Sequence, residues 1–171
     1  VLNDLIITKG KTLGKNGAGI LIDAGATVTL NRCQLLDNQT TVQGGGIQND
    51  GTLIVNNCTF ARNAANVGGS INNTGQLTIT NSTFANNSAM STGGGINNLG
   101  TLTLNNSTFA NQTGGGLHNV GRLSLTNTII AKSLPGGDCY SKSEDLDSSL
   151  NNLIEDGSCN AAFRGDPLLG E

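Results

Sequence analysis

Internal repetition constrains this chain more than any other feature. Gly93-Gly94-Gly95-Ile96 leads into Gly100-Thr101-Leu102-Thr103-Leu104, and then into Asn106-Ser107-Thr108-Phe109. The same order of residues recurs in Gly44-Gly45-Gly46-Ile47 with Gly51-Thr52-Leu53 and Asn57-Cys58-Thr59-Phe60. It recurs again from Gly68 to Phe84, and in weakened form from Gly114 to Ile130. A fixed period of about 20 to 50 residues is the mark of a solenoid, in which each unit buries its apolar face against the next.

Aligned by that period, the chain falls into columns. One is Val28, Leu53, Leu77, Leu102 and Leu123, and two residues on comes Leu30, Val55, Ile79, Leu104 and Leu125. A small column follows at Cys33, Cys58, Ser82, Ser107 and Thr128, then Leu35, Phe60, Phe84, Phe109 and Ile130. A further apolar column holds Ile47, Ile71, Ile96 and Leu117. Steps of two residues are strand alternation, and the single step of three marks a corner. The alternation and the Thr and Gly content exclude helical repeats. The expected architecture is all-β: a right-handed parallel β-helix of about 5–6 coils, each of three short strands stacked at about 4.7–4.9 Å. The hand comes from the crossover rule. Gly51, Gly75, Gly100 and Gly121 each follow an Asn by two residues, which predicts turns with positive φ at the glycine. Asn57, Asn81, Asn106 and Asn127 sit at the other corner, where they are expected to stack as an amide ladder.

Residues 1–133 form the repeat region. Leu2 to Ile7 fits the second half of a unit, so the chain starts in mid-unit, which implies missing upstream sequence or an unusual cap. An open solenoid end exposes unpaired strand edge and predicts end-to-end self-association. After Ser133 the repeat stops at Pro135-Gly136-Gly137, and residues 134–171 are expected to be an irregular capping segment with one degenerate strand at Ser149–Ile154.

Composition narrows the function classes. With 171 residues, 25 of them Gly, and only 12% charged, the chain suits one domain with neutral polar faces. A net charge of −3 with scattered Lys and Arg excludes a nucleic-acid patch. There is no apolar run of membrane-spanning length. Val1 to Gly10 lacks the basic start and long apolar core of a signal peptide, which is expected of a mature or trimmed piece.

The repeats resemble those of secreted bacterial β-helix proteins, with a pattern similar to GGGI-x-N-x-G-T-L-T-x-x-N-S-T-F-x-x-N. The ending (Asn152-Leu153-Ile154, Asp156-Gly157-Ser158-Cys159-Asn160, Gly165-Asp166-Pro167-Leu168-Leu169-Gly170) is similar to that of members with a choice-of-anchor sorting region. Phe60-Ala61-Arg62-Asn63 and Phe84-Ala85-Asn86-Asn87 also resemble repeats of chlamydial polymorphic outer-membrane adhesins, a pattern from which Phe109-Ala110-Asn111-Gln112 departs. The resemblance implies a β-helix exported to an extracellular or cell-surface location. In such a protein a disulfide between Cys139 and Cys159 is the expected state, worth about 3 kcal/mol. Cys33 and Cys58 share an inward column in adjacent coils. They read as small buried residues, with a disulfide as the alternative.

Catalytic chemistry is thinly supplied. Between Gly44 and Ala131 the acidic residue is Asp50, and the basic ones are Arg62, Arg122 and His118. Isolated groups do not make the carboxylate pair that glycan cleavage needs. His118 shares the outward column of Gln48, Asn72 and Asn97 and reads as a surface polar residue. Without Trp, and with Phe60, Phe84 and Phe109 in a core column, sugar stacking is poorly provided for. The acidic tail (Asp138, Glu144, Asp145, Asp147, Glu155, Asp156) matches no Ca²⁺ loop and reads as solvated. No metal site and no cofactor are expected.

A flat outward face remains. Its positions are Thr29 and Asn31, Ile54 and Asn56, Thr78 and Thr80, Thr103 and Asn105, and Ser124 and Thr126. Segments of varying length (Gln39–Gln43, Ala64–Val67, Ser88–Thr92, Thr113) gather on one corner as recognition loops. These features point to a non-enzymatic module for adhesion or scaffolding that binds a glycan or a host or cell-surface protein. The alternatives are ice binding through the Thr/Asn/Ser face, and a fragment of a polysaccharide lyase or hydrolase whose active site lies upstream.

Overall fold

Alternation lays the chain down as short strands whose apolar side chains point one way. In the computed structural model, which describes residues 1–142 and 145–168, those strands stack in parallel into four sheets. Sheet one holds Leu2–Asn3, Thr27–Asn31, Thr52–Asn56, Gln76–Thr80, Thr101–Asn105, Arg122–Thr126 and Leu146–Leu150. Sheet two holds Ile6–Thr8, Gln34–Leu36, Thr59–Ala61, Thr83–Ala85, Thr108–Ala110, Ile129–Ala131 and Leu153–Ile154. Sheet three is Lys11–Thr12, Gln39–Thr40, Ala64–Val67 and Ser88–Thr92. Sheet four is Ile20–Ile22, Ile47–Asn49, Ile71–Asn73, Ile96–Asn98, Leu117–Asn119 and Cys139–Ser141. The result is a parallel β-solenoid of about six turns.

The sequence columns are the stacking register. Leu102 pairs with Leu77 below and Leu123 above, and Phe84 lies between Phe60 and Phe109. These apolar columns fill the interior: Leu53, Ile79, Phe84, Ile96 and Leu125 are all at or near zero exposure. The phenyl rings stack face to face at 4.6 and 4.3 Å between centroids.

The corners differ from expectation in an instructive way. Gly51, Gly75, Gly100 and Gly121 are not the positive-φ residues. They are glycine because the coils approach too closely for a side chain: a Cβ on Gly75 would lie 2.0 Å from the Gly51 carbonyl oxygen, and one on Gly121 would lie 2.0 Å from that of Gly100. The left-handed corner is instead the Asn column, with φ of 55° at Asn57, 52° at Asn81, 49° at Asn106 and 51° at Asn127. Asn tolerates that conformation better than other side chains. These asparagines are exposed, and among the described residues one bond links two of them, Asn127 Nδ2 to Asn106 Oδ1 at 3.0 Å.

The amide ladders run elsewhere, inside the coil. Asn49 donates to Asn73 at 2.6 Å, Asn73 to Asn98 at 2.7 Å and Asn98 to Asn119 at 2.6 Å, all fully buried. A second ladder joins Asn38, Asn63, Asn87 and Gln112 at 3.0 to 3.1 Å, and its side-chain oxygens also cap backbone N–H groups of the coil before. The small column does similar work. Ser82 Oγ accepts from Cys58 N, and Cys58 Sγ accepts from Cys33 N. Cys33 and Cys58 are buried free thiols, as the small-residue reading has it.

Two boundaries also move. The coil of three strands describes the chain from Thr113 onward, whereas earlier coils carry a fourth side. The stretches expected as loops, Ala64–Val67 and Ser88–Thr92, are strands of sheet three, because Ala65 and Ala89 tuck inward as small core residues. Thr113 meets that sheet through a single bridge to Ser88. The segment after Ser133 is not irregular throughout. Cys139–Ser141, Leu146–Leu150 and Leu153–Ile154 continue sheets four, one and two. The continuation was hidden because those strands carry Ser and Asp where the repeat has Leu and Thr. Glu144, Leu169 and Gly170 lie outside the described residues. The expected disulfide joins Cys139 to Cys159, with Cα atoms 5.8 Å apart.

Candidate functional site

The outward face of sheet one is built by register alone. Thr29, Ile54, Thr78, Thr103 and Ser124 stand directly above one another, as do Asn31, Asn56, Thr80, Asn105 and Thr126. Strand alternation points all of them away from the core, and stacking of the coils sets their spacing. All ten positions therefore share one surface. Thr78 is exposed, and the other nine are half-buried among their neighbours on the face.

A third outward column escaped the sequence reading. Thr27, Thr52, Gln76, Thr101 and Arg122 stack on the same face, one step earlier in each strand. Two-residue spacing from Thr29 and Thr78 would have found it. The face is thus three columns wide and neutral over four coils. Its charged rim is Arg122, which pairs with Asp147 at 3.1 Å. At the other rim the amides are engaged with one another: Asn31 donates to Asn3 at 2.8 Å and Asn56 to Asn31 at 3.0 Å. The lattice loses register between Leu123 and Ser124 where Leu146–Leu150 joins.

His118 sits differently from expectation. Its column is not a free surface: Gln48, Asn72 and Asn97 are at most 3% exposed. The chain between sheets three and four folds over them, so that Gln43 accepts from Asn72 at 3.3 Å and Thr92 donates to Asn97 at 3.4 Å. The amides form a one-way chain, in which Asn97 donates to Asn72 (2.7 Å), Asn72 to Gln48 (3.0 Å) and Gln48 to the Asp50 carboxylate (2.5 Å). The oxygen left at the far end, Asn97 Oδ1, lies 2.9 Å from His118 Nδ1. An amide oxygen only accepts, so this contact places the imidazole proton on Nδ1. Burial pushes the His118 pKa below its usual value, and its ring stacks on Tyr140 at 4.9 Å.

The acidic tail is not uniformly solvated. Asp138 is 3% exposed, and burial raises its pKa. Its oxygens accept from Ser133 N at 3.1 Å and Asp156 N at 3.1 Å, while Asp156 accepts from Asp138 N at 2.9 Å. Asp156 also accepts from the backbone N–H and hydroxyl of Ser158. Against the upward push of burial, these bonds hold the Asp156 pKa below the usual carboxylate value. Among the described residues no three His, Cys, Asp or Glu side chains are placed to share a metal ion. Nor is any helix long and apolar enough to cross a membrane.

A family model for the right-handed β-helix region matches residues 3–133. Comparison with curated proteins and with solved structures gave no match.

Proposed function

The chain belongs to the right-handed β-helix family, and from that premise we propose that it is a non-enzymatic extracellular or cell-surface module for adhesion or scaffolding. The observation that carries the reading is the sheet-one face. It is hydroxyl- and amide-rich, neutral over four coils, and in register from Thr29 to Ser124. Buried amide ladders and the stacked phenyl column hold it stiff, so little ordering entropy is lost when a partner docks. Neutral hydroxyls and amides match the hydrogen-bonding groups of a glycan or of a neutral protein surface. The Cys139–Cys159 bridge fits an oxidising compartment, where disulfides persist. Retention of the labelled chain on a glycan array and on intact cells tests the reading. Binding abolished by Thr78→Tyr with Thr103→Tyr supports it, and no retention on either surface counts against it.

Ice binding is the second reading, favoured by the same columns because a regular hydroxyl lattice is a template for ordered water. Thermal hysteresis and faceted ice crystals, lost in the same double variant, would establish it over adhesion.

A further inference from the structure

The polar chain along sheet four has a direction, and its direction starts at Asp50. An ionised carboxylate only accepts, so Gln48 must turn its Nε2 toward Asp50 Oδ1, at 2.5 Å, where Thr74 Oγ1 also donates at 2.6 Å. That contact decides how every amide beyond it is turned. With its NH₂ on Asp50, Gln48 has its oxygen left for the next coil, and Asn72 Nδ2 donates to it at 3.0 Å. Asn72 in turn presents its oxygen to Asn97 Nδ2 at 2.7 Å. Asn97 is left with its oxygen toward His118, 2.9 Å from Nδ1. Gln48, Asn72 and Asn97 are at most 3% exposed, so little water reaches them to mend a broken link. One amide turned over alone would set oxygen against oxygen on one side and NH₂ against NH₂ on the other. All three can reverse only together, and Gln48 would then face the Asp50 carboxylate with its oxygen, two acceptors with no proton between them.

We propose that Asp50 is a positioning residue for His118: through Gln48, Asn72 and Asn97 it fixes the imidazole proton on Nδ1 from three coils away, and so holds Nε2 as an acceptor. The hydrogen bond at one ring nitrogen sets the role of the other. Among the described residues Nε2 makes no hydrogen bond, and the half-buried ring lies against the exposed ring of Tyr140. The outer side of sheet four therefore offers a nitrogen lone pair beside an aromatic ring, suited to a hydroxyl or N–H of a partner and not to a second acceptor. Bonds aligned in one sense polarise one another, so the choice made at Asp50 is carried along the chain. The relay stands on the direction of these bonds and does not depend on the adhesion reading.

The test is the imidazole nitrogen spectrum of the full isotope-labelled chain, read by long-range proton–nitrogen correlation at alkaline pH, where the ring is neutral. The chain has one histidine, so the signals need no assignment. The wild type should hold the Nδ1–H form over the Nε2–H form by at least about tenfold, since the reverse chain leaves a buried pair unmade. Asp50→Asn keeps the size of the side chain and adds a donor. The new amide can give its N–H to Gln48 Oε1, and the chain can then run backwards. Gln43, which accepts from Asn72 at 3.3 Å, turns its amide over to match. Asn97 then presents Nδ2 to the ring, which must accept at Nδ1 and carry its proton on Nε2. The variant should show both tautomers, a shift of at least about fivefold, while the backbone amides of sheets one and two stay in place. Asn97→Ala cuts the relay beside the ring, and on that background Asp50→Asn should change the ratio by less than about twofold. The same ratio in wild type and Asp50→Asn overturns the proposal, and so does a wild type dominated by Nε2–H. An undiminished effect of Asp50→Asn in the Asn97→Ala background also overturns it, because the influence would then travel by another route.

Discussion

Truncating Asn73 probes the buried amide ladder that links one coil to the next. Its Nδ2 donates to Asn98 Oδ1 at 2.7 Å, and to the carbonyls of Gly75 and Thr101 at 3.2 Å each. Its Oδ1 accepts from Asn49 at 2.6 Å. Asn73→Ala leaves Asn98 Oδ1 buried without a donor and strips the second partner from two carbonyls. A buried polar atom left unpaired costs about 1–3 kcal/mol, so the loss should be about 3 kcal/mol. Asn49→Ala is the internal control. Its Oδ1 is already unpartnered, because Ile22 lies beneath it in the column and offers no donor. Removing Asn49 strands Asn73 Oδ1 but deletes an existing orphan, so it should cost about 1 kcal/mol. Urea unfolding followed by far-ultraviolet circular dichroism reads both against a total stability of about 5–15 kcal/mol. Equal losses for the two variants, or a loss below about 1 kcal/mol for Asn73→Ala, would refute the ladder as a stabilising element.

Other outcomes follow from the same geometry. Gly75→Ala should prevent native stacking, since its Cβ would sit 2.0 Å from a backbone oxygen; a folded protein with unchanged thermal midpoint would contradict this. Asn81→Ala should destabilise by about 1–2 kcal/mol through the left-handed corner while Asn81→Gly is tolerated, as read by thermal unfolding. Burial lowers the His118 pKa from its usual 6.5, so the folded state prefers the neutral ring. Its contribution to stability is present above pH 6.5 and is lost as pH falls through the folded value. His118→Gln should flatten that slope in urea titrations run at successive pH values. Reducing Cys139–Cys159 should cost about 3 kcal/mol, with opening confined to the C-terminal coil in hydrogen exchange.

Much of the fold was legible because a solenoid writes its core column by column. Leu77 above Leu53 and Phe84 above Phe60 follow from period and alternation, and so does the outward set from Thr29 to Thr126 on one face. What stayed hidden depends on three-dimensional approach. Gly75 looks like any turn glycine until the Gly51 carbonyl is set beneath it. Asn73 and Asn81 are the same residue in similar settings, yet one is buried in a ladder and the other holds an exposed corner. Ala65 and Ala89 are too small to announce a strand. Asp138 meets Asp156 across a segment with no repeat to align it, so only the disulfide hinted at their nearness.

The most direct test of the central claim is binding of the intact chain to a glycan array and to cell surfaces, with the Thr78→Tyr and Thr103→Tyr double variant alongside. The account predicts saturable retention of the wild type and its loss in the variant, with no change in the glycans. Retention equal in the two proteins would contradict a role for the sheet-one face, and cleavage of the bound glycan would contradict a non-enzymatic module.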